Sequence, residues 1–136
     1  MPLVIDPSVL VAQILEDEDA TLATAVLESI VDEGAVEPSI FWYELRNVLV
    51  INERRGRLRP EQSAAFLSAL ADLDFEIEDL PAEGAVLDLA RRYELTVYDA
   101  AYLELAHRRG VPLVTADKRL IAACTASGVR LWRPPA

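Results

Sequence analysis

Cysteine and histidine are almost missing: the 136 residues hold one of each. A lone Cys124 excludes an internal disulfide and fits a reducing compartment. It lies in Leu-Ile-Ala-Ala-Cys-Thr-Ala, the setting of a packed small hydrophobe rather than a nucleophile. With only His107 to accompany it, a zinc site built from His and Cys is excluded. His107 falls in the last turn of a helical stretch, where it suits the helix dipole. Long hydrophobic runs are absent too, and none approaches the roughly 20 apolar residues of a membrane span. The opening Met-Pro-Leu-Val-Ile-Asp has no basic residue, and its apolar run breaks at Asp6. No signal peptide and no membrane partner are therefore expected, and the chain reads as cytoplasmic. Bases are scarce as well: 13 Lys and Arg against 23 Asp and Glu leave a net charge of −10. That balance opposes non-specific nucleic-acid binding and suits a basic partner or cations.

What is present is apolar and regularly punctuated. Apolar residues make up 52%, enough for one globular domain spanning residues 1–136. Leu3-Val4-Ile5 reads as a buried strand, stopped by Asp6 as N-cap and Pro7 at the first helical position. A first helix is predicted over Ser8 to Glu16. After the acidic Glu16-Asp17-Glu18-Asp19, a second runs to Gly34 with Leu22, Ala25, Val26 and Ile30 inward. Ala35-Val36-Glu37 is a second strand, and Ile40 to about Arg55 a third helix ended by Gly56. Pro60 opens a fourth helix with Ala64, Phe66, Leu67, Leu70 and Leu73 inward; Phe75-Glu76-Ile77 alternates like a strand; Pro81 opens a fifth helix ending near Tyr93. Thr96 caps a sixth in a Thr-x-x-Asp capping-box pattern with Asp99, and Gly110 ends it. Pro-Leu-Val is a buried strand leading to Thr115 and Asp117. A seventh helix follows to Gly128, then a short strand Val129-Arg130-Leu131. Strands alternating with helices predict an α/β fold, a three-layer α/β/α sandwich with a mainly parallel central sheet.

Four carboxylates stand out within that plan. Asp6 and Asp117 each sit just past a buried strand, and Asp99 sits in a helix first turn. Ligands of open α/β sheets bind at the carboxyl ends of strands. Glu44 shares its helix face with Ile40, Phe41, Val48 and Ile51, so it points with the apolar stripe, and an unpaired buried carboxylate needs a partner or a cation. Asn47, one turn on, is expected to hold it. Singly, Asp6, Asp99 and Asp117 also read as helix caps, and Glu44 as the partner of a buried arginine. Gathered together they would repel strongly without cations. An all-oxygen set suits Mg²⁺ or Mn²⁺, and two such ions suit in-line displacement at a phosphodiester. Ser8 and Thr115 place hydroxyls beside Asp6 and Asp117, able to orient a carboxylate or to serve as ordinary caps. The cluster Glu53-Arg54-Arg55-Gly56-Arg57-Leu58-Arg59 reads either as a helix end decorated for its dipole or, through Arg54, Arg55 and Arg57, as a contact for RNA or a partner.

The stretches Val-Ile-Asp-Pro-Ser-Val-Leu-Val-Ala, Trp-Tyr-Glu-Leu-Arg-Asn-Val-Leu, Val-Tyr-Asp-Ala-Ala-Tyr-Leu-Glu-Leu-Ala and Leu-Val-Thr-Ala-Asp-Lys-Arg-Leu follow one another in order over nearly the whole chain. In them the chain resembles PIN-domain proteins of the VapC toxin type. The resemblance implies an Mg²⁺- or Mn²⁺-dependent ribonuclease, the toxin of a toxin–antitoxin pair. It also implies a homodimer held by a VapB-like antitoxin. The family's acids map onto Asp6, Glu44, Asp99 and Asp117, and the hydroxyl of its Thr-x-Asp motif onto Thr115. Some relatives carry a further acid soon after the last one, where this chain has Lys118, Arg119, Leu120 and Ile121. Two rival functions keep the same residues: a non-catalytic binding module, and a phosphoryl-transfer or phosphatase domain with an acidic pocket. A haloacid-dehalogenase-type nucleophile would want Asp-x-Asp or Asp-x-Thr where this chain has Asp6-Pro7-Ser8.

Overall fold

Two buried residues, Val4 and Ile5, form the strand β1 about which the sheet is assembled. Apolar on both faces, they can lie only inside a sheet covered by helices. The computed structural model describes residues 1–79 and 83–135. Along the chain β1 is followed by α1 (Pro7–Val11) with a 3₁₀ turn Ala12–Ile14, α2 (Thr21–Glu33), β2 (Ala35–Pro38), α3 (Phe41–Arg54), α4 (Pro60–Ala71), β3 (Phe75–Glu78), α5 (Glu83–Tyr93), α6 (Val97–Arg109), β4 (Leu113–Val114) and α7 (Lys118–Ser127). β1 pairs with β4, Val4 opposite Leu113, and β2 pairs with β3, Ala35 opposite Phe75. Single bridges join Leu3 to Ala35 and Leu113 to Leu131, so the strands run β3-β2-β1-β4 with Leu131 at the far edge. Every described pairing is parallel. The chain moves outward from β1 through β2 to β3 and then crosses to β4 on the other side of β1. The β1/β4 crevice is thus the switch point where α/β folds bind ligands.

Helices α5, α6 and α7 pack in sequence, with α6 against β1, β2 and β4, while α1 packs on α2 and α3. The core runs continuously from Leu3, Val4 and Ile5 through Phe41, Leu45 and Leu49 to Leu103, Leu113 and Leu120. Its aromatic corner is Phe41, Trp42 and Phe75, with ring centroids 5.0 to 5.2 Å apart. This is the expected α/β architecture, and local chemistry accounts for its boundaries. Pro7 opens α1, Pro60 opens α4, and Gly110 and Gly128 end α6 and α7 in the left-handed conformation.

Several expectations shift. The first helix does not reach Glu16: it tightens to a 3₁₀ turn and leaves helical geometry at Leu15, which turns inward to 6% exposure. In α2 the fully buried positions are Ala23, Val26 and Ile30, with Leu22 only half-buried. In α4 Ala64 is exposed and Ser63 takes the inward position beside Phe66 and Leu70. The expected last strand, Val129 to Leu131, is reduced to one bridge: the Val129 N–H closes α7 on Cys124 O (3.0 Å), and beyond Leu131 Pro134 has no N–H to extend the ladder. Pro81, the expected start of α5, lies outside the described residues.

Candidate active site

Asp6 is both a cap and a candidate ligand. Its backbone N–H donates to Val114 O (2.9 Å), completing the β1–β4 ladder. Its Oδ1 accepts from Ser8 N (3.1 Å) and Ser8 Oγ (3.0 Å), capping α1. Its Oδ2 accepts from Thr115 Oγ1 (2.9 Å), which reaches across the switch point. Thr115 is 1% exposed, and the same oxygen accepts the N–H of Asp117 (3.1 Å). Asp117 in turn accepts from Leu120 N (3.0 Å) and caps α7. One hydroxyl therefore ties the ends of β1 and β4 together and sets Asp6 and Asp117 beside each other. The expected supporting roles of Ser8 and Thr115 rest on these bonds.

Asp99 enters from α6. Thr96 Oγ1 accepts the Asp99 N–H (3.0 Å) as the helix cap. The return bond that would complete a capping box is not made, which leaves the carboxylate facing Asp6 and Asp117. Burial raises its pKa, and the charges of Asp6 and Asp117 raise it further, against a smaller opposing bond from Thr96. Glu44 comes from the first turn of α3 and is half-buried, with Oε1 sealed from solvent and lacking a hydrogen-bond partner. Its pKa is also raised, first by burial and then by Asp6 and Asp99. The Tyr102 hydroxyl behind it works the other way without completing a hydrogen bond.

The structure thus brings Asp6, Glu44, Asp99 and Asp117 to one sheet edge. Asn47 does not join them: it is exposed, and the group that faces Glu44 is Tyr102 from α6. At i and i+3 the two side chains start about 60° apart around the helix, and Glu44 turns to the core while Asn47 turns to water. Arg57 is also redirected. It pairs with Asp17 (2.8 Å) and Glu18 (3.2 Å) and donates to the buried Asn52 (2.6 Å), so it binds the α1–α2 loop to the end of α3. Arg54 and Arg55 remain exposed. His107 is exposed in the last turn of α6, and Cys124 is fully buried, its thiol pushed up to about 11 by that burial.

Glu37 is the acid that the reading of spacing and pattern passed over. It lies on β2 with 0% exposure, its Oε1 accepts from Ile5 N (2.9 Å), and its Oε2 has no partner. Burial sets its pKa well above the ordinary carboxylate range, with Asp6 and Glu44 adding to the shift. The signal for it was an acid inside the otherwise apolar strand Ala-Val-Glu-Pro.

Among the described residues, no lysine or arginine forms an ion pair with Asp6, Glu37, Glu44, Asp99 or Asp117. Nor do any three Asp, Glu, His or Cys side chains there close tightly enough to hold an ion.

A parallel sheet with clustered acids at its β1/β4 switch point defines a class, and the comparisons agree with it. The PIN domain family model matches residues 3–125, and the chain belongs to that family. Within it the chain is of the VapC type. It is 31% identical over 124 residues to Ribonuclease VapC3 of Pyrobaculum aerophilum, covering 88% of this chain and 92% of that protein. Among solved structures it is similar to PAE2754 from Pyrobaculum aerophilum (TM-score 0.70, 26% identity, 90% of this chain and 86% of that one). It also shares the fold of FitAcB from Neisseria gonorrhoeae (TM-score 0.67, 15% identity, 97% of both chains).

Proposed function

We propose that this PIN-domain nuclease is an Mg²⁺- or Mn²⁺-dependent endoribonuclease. In this reading it is the toxin of a type II toxin–antitoxin pair, cytoplasmic and restrained by a VapB-like antitoxin. The observation that carries the proposal is the group Asp6, Glu44, Asp99 and Asp117. They share one sheet edge, two of them have raised pKa values, and no basic side chain among the described residues neutralises them. Repelling carboxylates with an unpartnered buried oxygen on Glu44 fit a hard divalent cation, and all the donors are oxygen. These four residues would hold the ion, which when bound supplies Lewis acidity and activation of water at the phosphodiester.

The protein's own part is placement. Ser8 and Thr115 engage both oxygens of Asp6, so its carboxylate cannot rotate away. Thr115 also fixes the backbone of Asp117. The exposed Arg54 and Arg55 supply positive charge for RNA or the antitoxin on an otherwise acidic surface. The homodimer is supported by a largely apolar cavity of about 330 Å³ between α5 and α6, lined by Val86, Leu87, Val97, Tyr98 and Leu105. Leu87, Val97 and Tyr98 are 42%, 50% and 59% exposed, a patch that a second copy would cover. No helix among the described residues is long and apolar enough to cross a membrane.

The test is cleavage of single-stranded RNA by the purified protein with Mg²⁺ or Mn²⁺, stopped by a chelator, with single-stranded DNA in parallel. Cleavage that survives the chelator, or a metal titration with no binding and no cleavage, overturns the reading. The second outcome would leave a non-catalytic module.

A further inference from the structure

The β1–β2 ladder stops one rung early, and a side chain takes over. Leu3 N donates to Gly34 O (3.4 Å) and Val36 N to Leu3 O (2.9 Å), the pattern of parallel strands with Leu3 opposite Ala35. In that register Ile5 stands opposite Glu37: its N–H would donate to Val36 O, and its carbonyl would accept from residue 38, which is Pro38 and has no N–H to give. The Ile5 N–H donates instead to Glu37 Oε1 at 2.9 Å. β2 continues beside β3 to Pro38, and β1 continues beside β4 to Asp6, so the two strands part beneath the site. Three of the buried side-chain atoms without a partner sit where they part: Glu37 Oε2, Glu44 Oε1 and Tyr102 Oη. The charges of Glu37 and Glu44 act on each other and on Tyr102, which places the three groups together.

We infer that Glu37 is a positioning residue: its side chain replaces the missing rung, holds the end of β1 at Ile5, and so sets Asp6 and the wall behind Glu44 for the metal. This rests on the metal-dependent reading above for its consequence, but not for its geometry. Glu37 needs no charge to do it, and its full burial favours the neutral acid. A glutamine keeps the acceptor for Ile5 N–H and, like the neutral acid, offers a donor to Glu44 or Tyr102. A methionine keeps the length and loses both.

The experiment compares the parent with Glu37→Gln and Glu37→Met, first without RNA. Backbone amide exchange is followed at Val4, Ile5 and Asp6, and Mg²⁺ binding is read from the rise in unfolding temperature. In the parent, Ile5 should exchange as slowly as the ladder-bonded Val4 and Asp6. Glu37→Gln should keep that protection and the Mg²⁺ midpoint within about threefold. Glu37→Met should exchange at least about tenfold faster at Ile5, need about tenfold more Mg²⁺, and in the RNA assay lose about tenfold in kcat with KM unchanged. Parental exchange and Mg²⁺ midpoint in Glu37→Met would overturn the inference. So would a Glu37→Gln protein that loses its Mg²⁺ response, since Glu37 would then act by charge. If Glu37→Met does not fold, Ile5 protection in the parent and the Mg²⁺ midpoint of Glu37→Gln decide. A parent that binds Mg²⁺ but leaves RNA intact would sink the ribonuclease reading and leave this inference to the exchange data.

Discussion

Asp17 and Glu18, in the loop before α2, face Arg57 at 2.8 and 3.2 Å, and the hydrogen bond from Arg57 lowers the pKa of Asp17. At the carboxyl edge of the sheet, Asp6, Glu44, Asp99 and Asp117 face one another, and Glu44 and Asp99 are raised instead. Glu104, Glu76 and Glu78 also have arginine partners, each bound to Arg108 or Arg109. The chain thus has arginines and uses them to neutralise acids elsewhere. Among the described residues none is paired with an acid of the sheet edge, an environment that suits acids compensated by an external cation.

Three substitutions probe the contrast, and the largest effect belongs to the site. Asp6→Asn removes a charge while keeping one oxygen to accept from Ser8 and an NH2 that can donate to Thr115 Oγ1. Cleavage should fall by about 10²–10³ in kcat, a size common for loss of one transition-state charge stabiliser. A drop below about tenfold in a single-turnover assay would show that Asp6 is a cap only. Thr115→Val cuts the tie between Asp6 and Asp117 without touching a carboxylate, and should cost about 10–100-fold in activity or metal affinity. Arg57→Gln should give the smallest functional effect: a lower unfolding temperature, with the Mg²⁺ response and cleavage unchanged. A large loss of cleavage at equal folded fraction would place Arg57 in RNA binding instead.

The same contrast has a pH signature. Glu37, Glu44 and Asp99 have folded-state pKa values above their ordinary 4.5, 4.5 and 3.8, so above those values the folded chain holds more protons than the unfolded one. Their contribution therefore weakens stability as pH rises through 4.5 toward neutrality. Asp17 has the opposite sign: its contribution is present above 3.8 and lost as pH falls. Unfolding temperature of the metal-free protein should accordingly decline from about pH 5 to 7, and saturating Mg²⁺ should flatten that slope. A metal-free profile that rises across the window would contradict the shifts.

How legible all this was in the sequence depends on distance along the chain. Caps are local, so Asp6-Pro7, Thr96, Gly110 and Asp117-to-Gly128 were readable from neighbouring residues. The acids were readable as element ends and an inward helix position, because a parallel sheet gathers such ends. Three features needed the tertiary structure. Arg57 finds Asp17 across 40 residues, which no spacing rule anticipates. Asn47 shares a turn with Glu44, yet only packing against Tyr102 decides which side chain turns inward. Glu37 looks like the exposed residue of an alternating strand, whereas β2 is buried along its whole length and its neighbour Pro38 breaks the ladder.

Thermal unfolding of the parent and Asp99→Asn, each with and without Mg²⁺, tests the central claim that the cluster is destabilised until a cation fills it. Two carboxylates about 5 Å apart at an effective dielectric near 20 repel by about 3 kcal/mol, and the partial exposure of Asp99 reduces this to about 1 kcal/mol. A cap role alone would make Asn neutral or slightly destabilising. The metal-free variant should therefore unfold at a higher temperature than the parent, gain less from Mg²⁺, and fail to cleave RNA. A variant that unfolds at a lower temperature, with the parent's full Mg²⁺ gain and intact cleavage, would contradict the account.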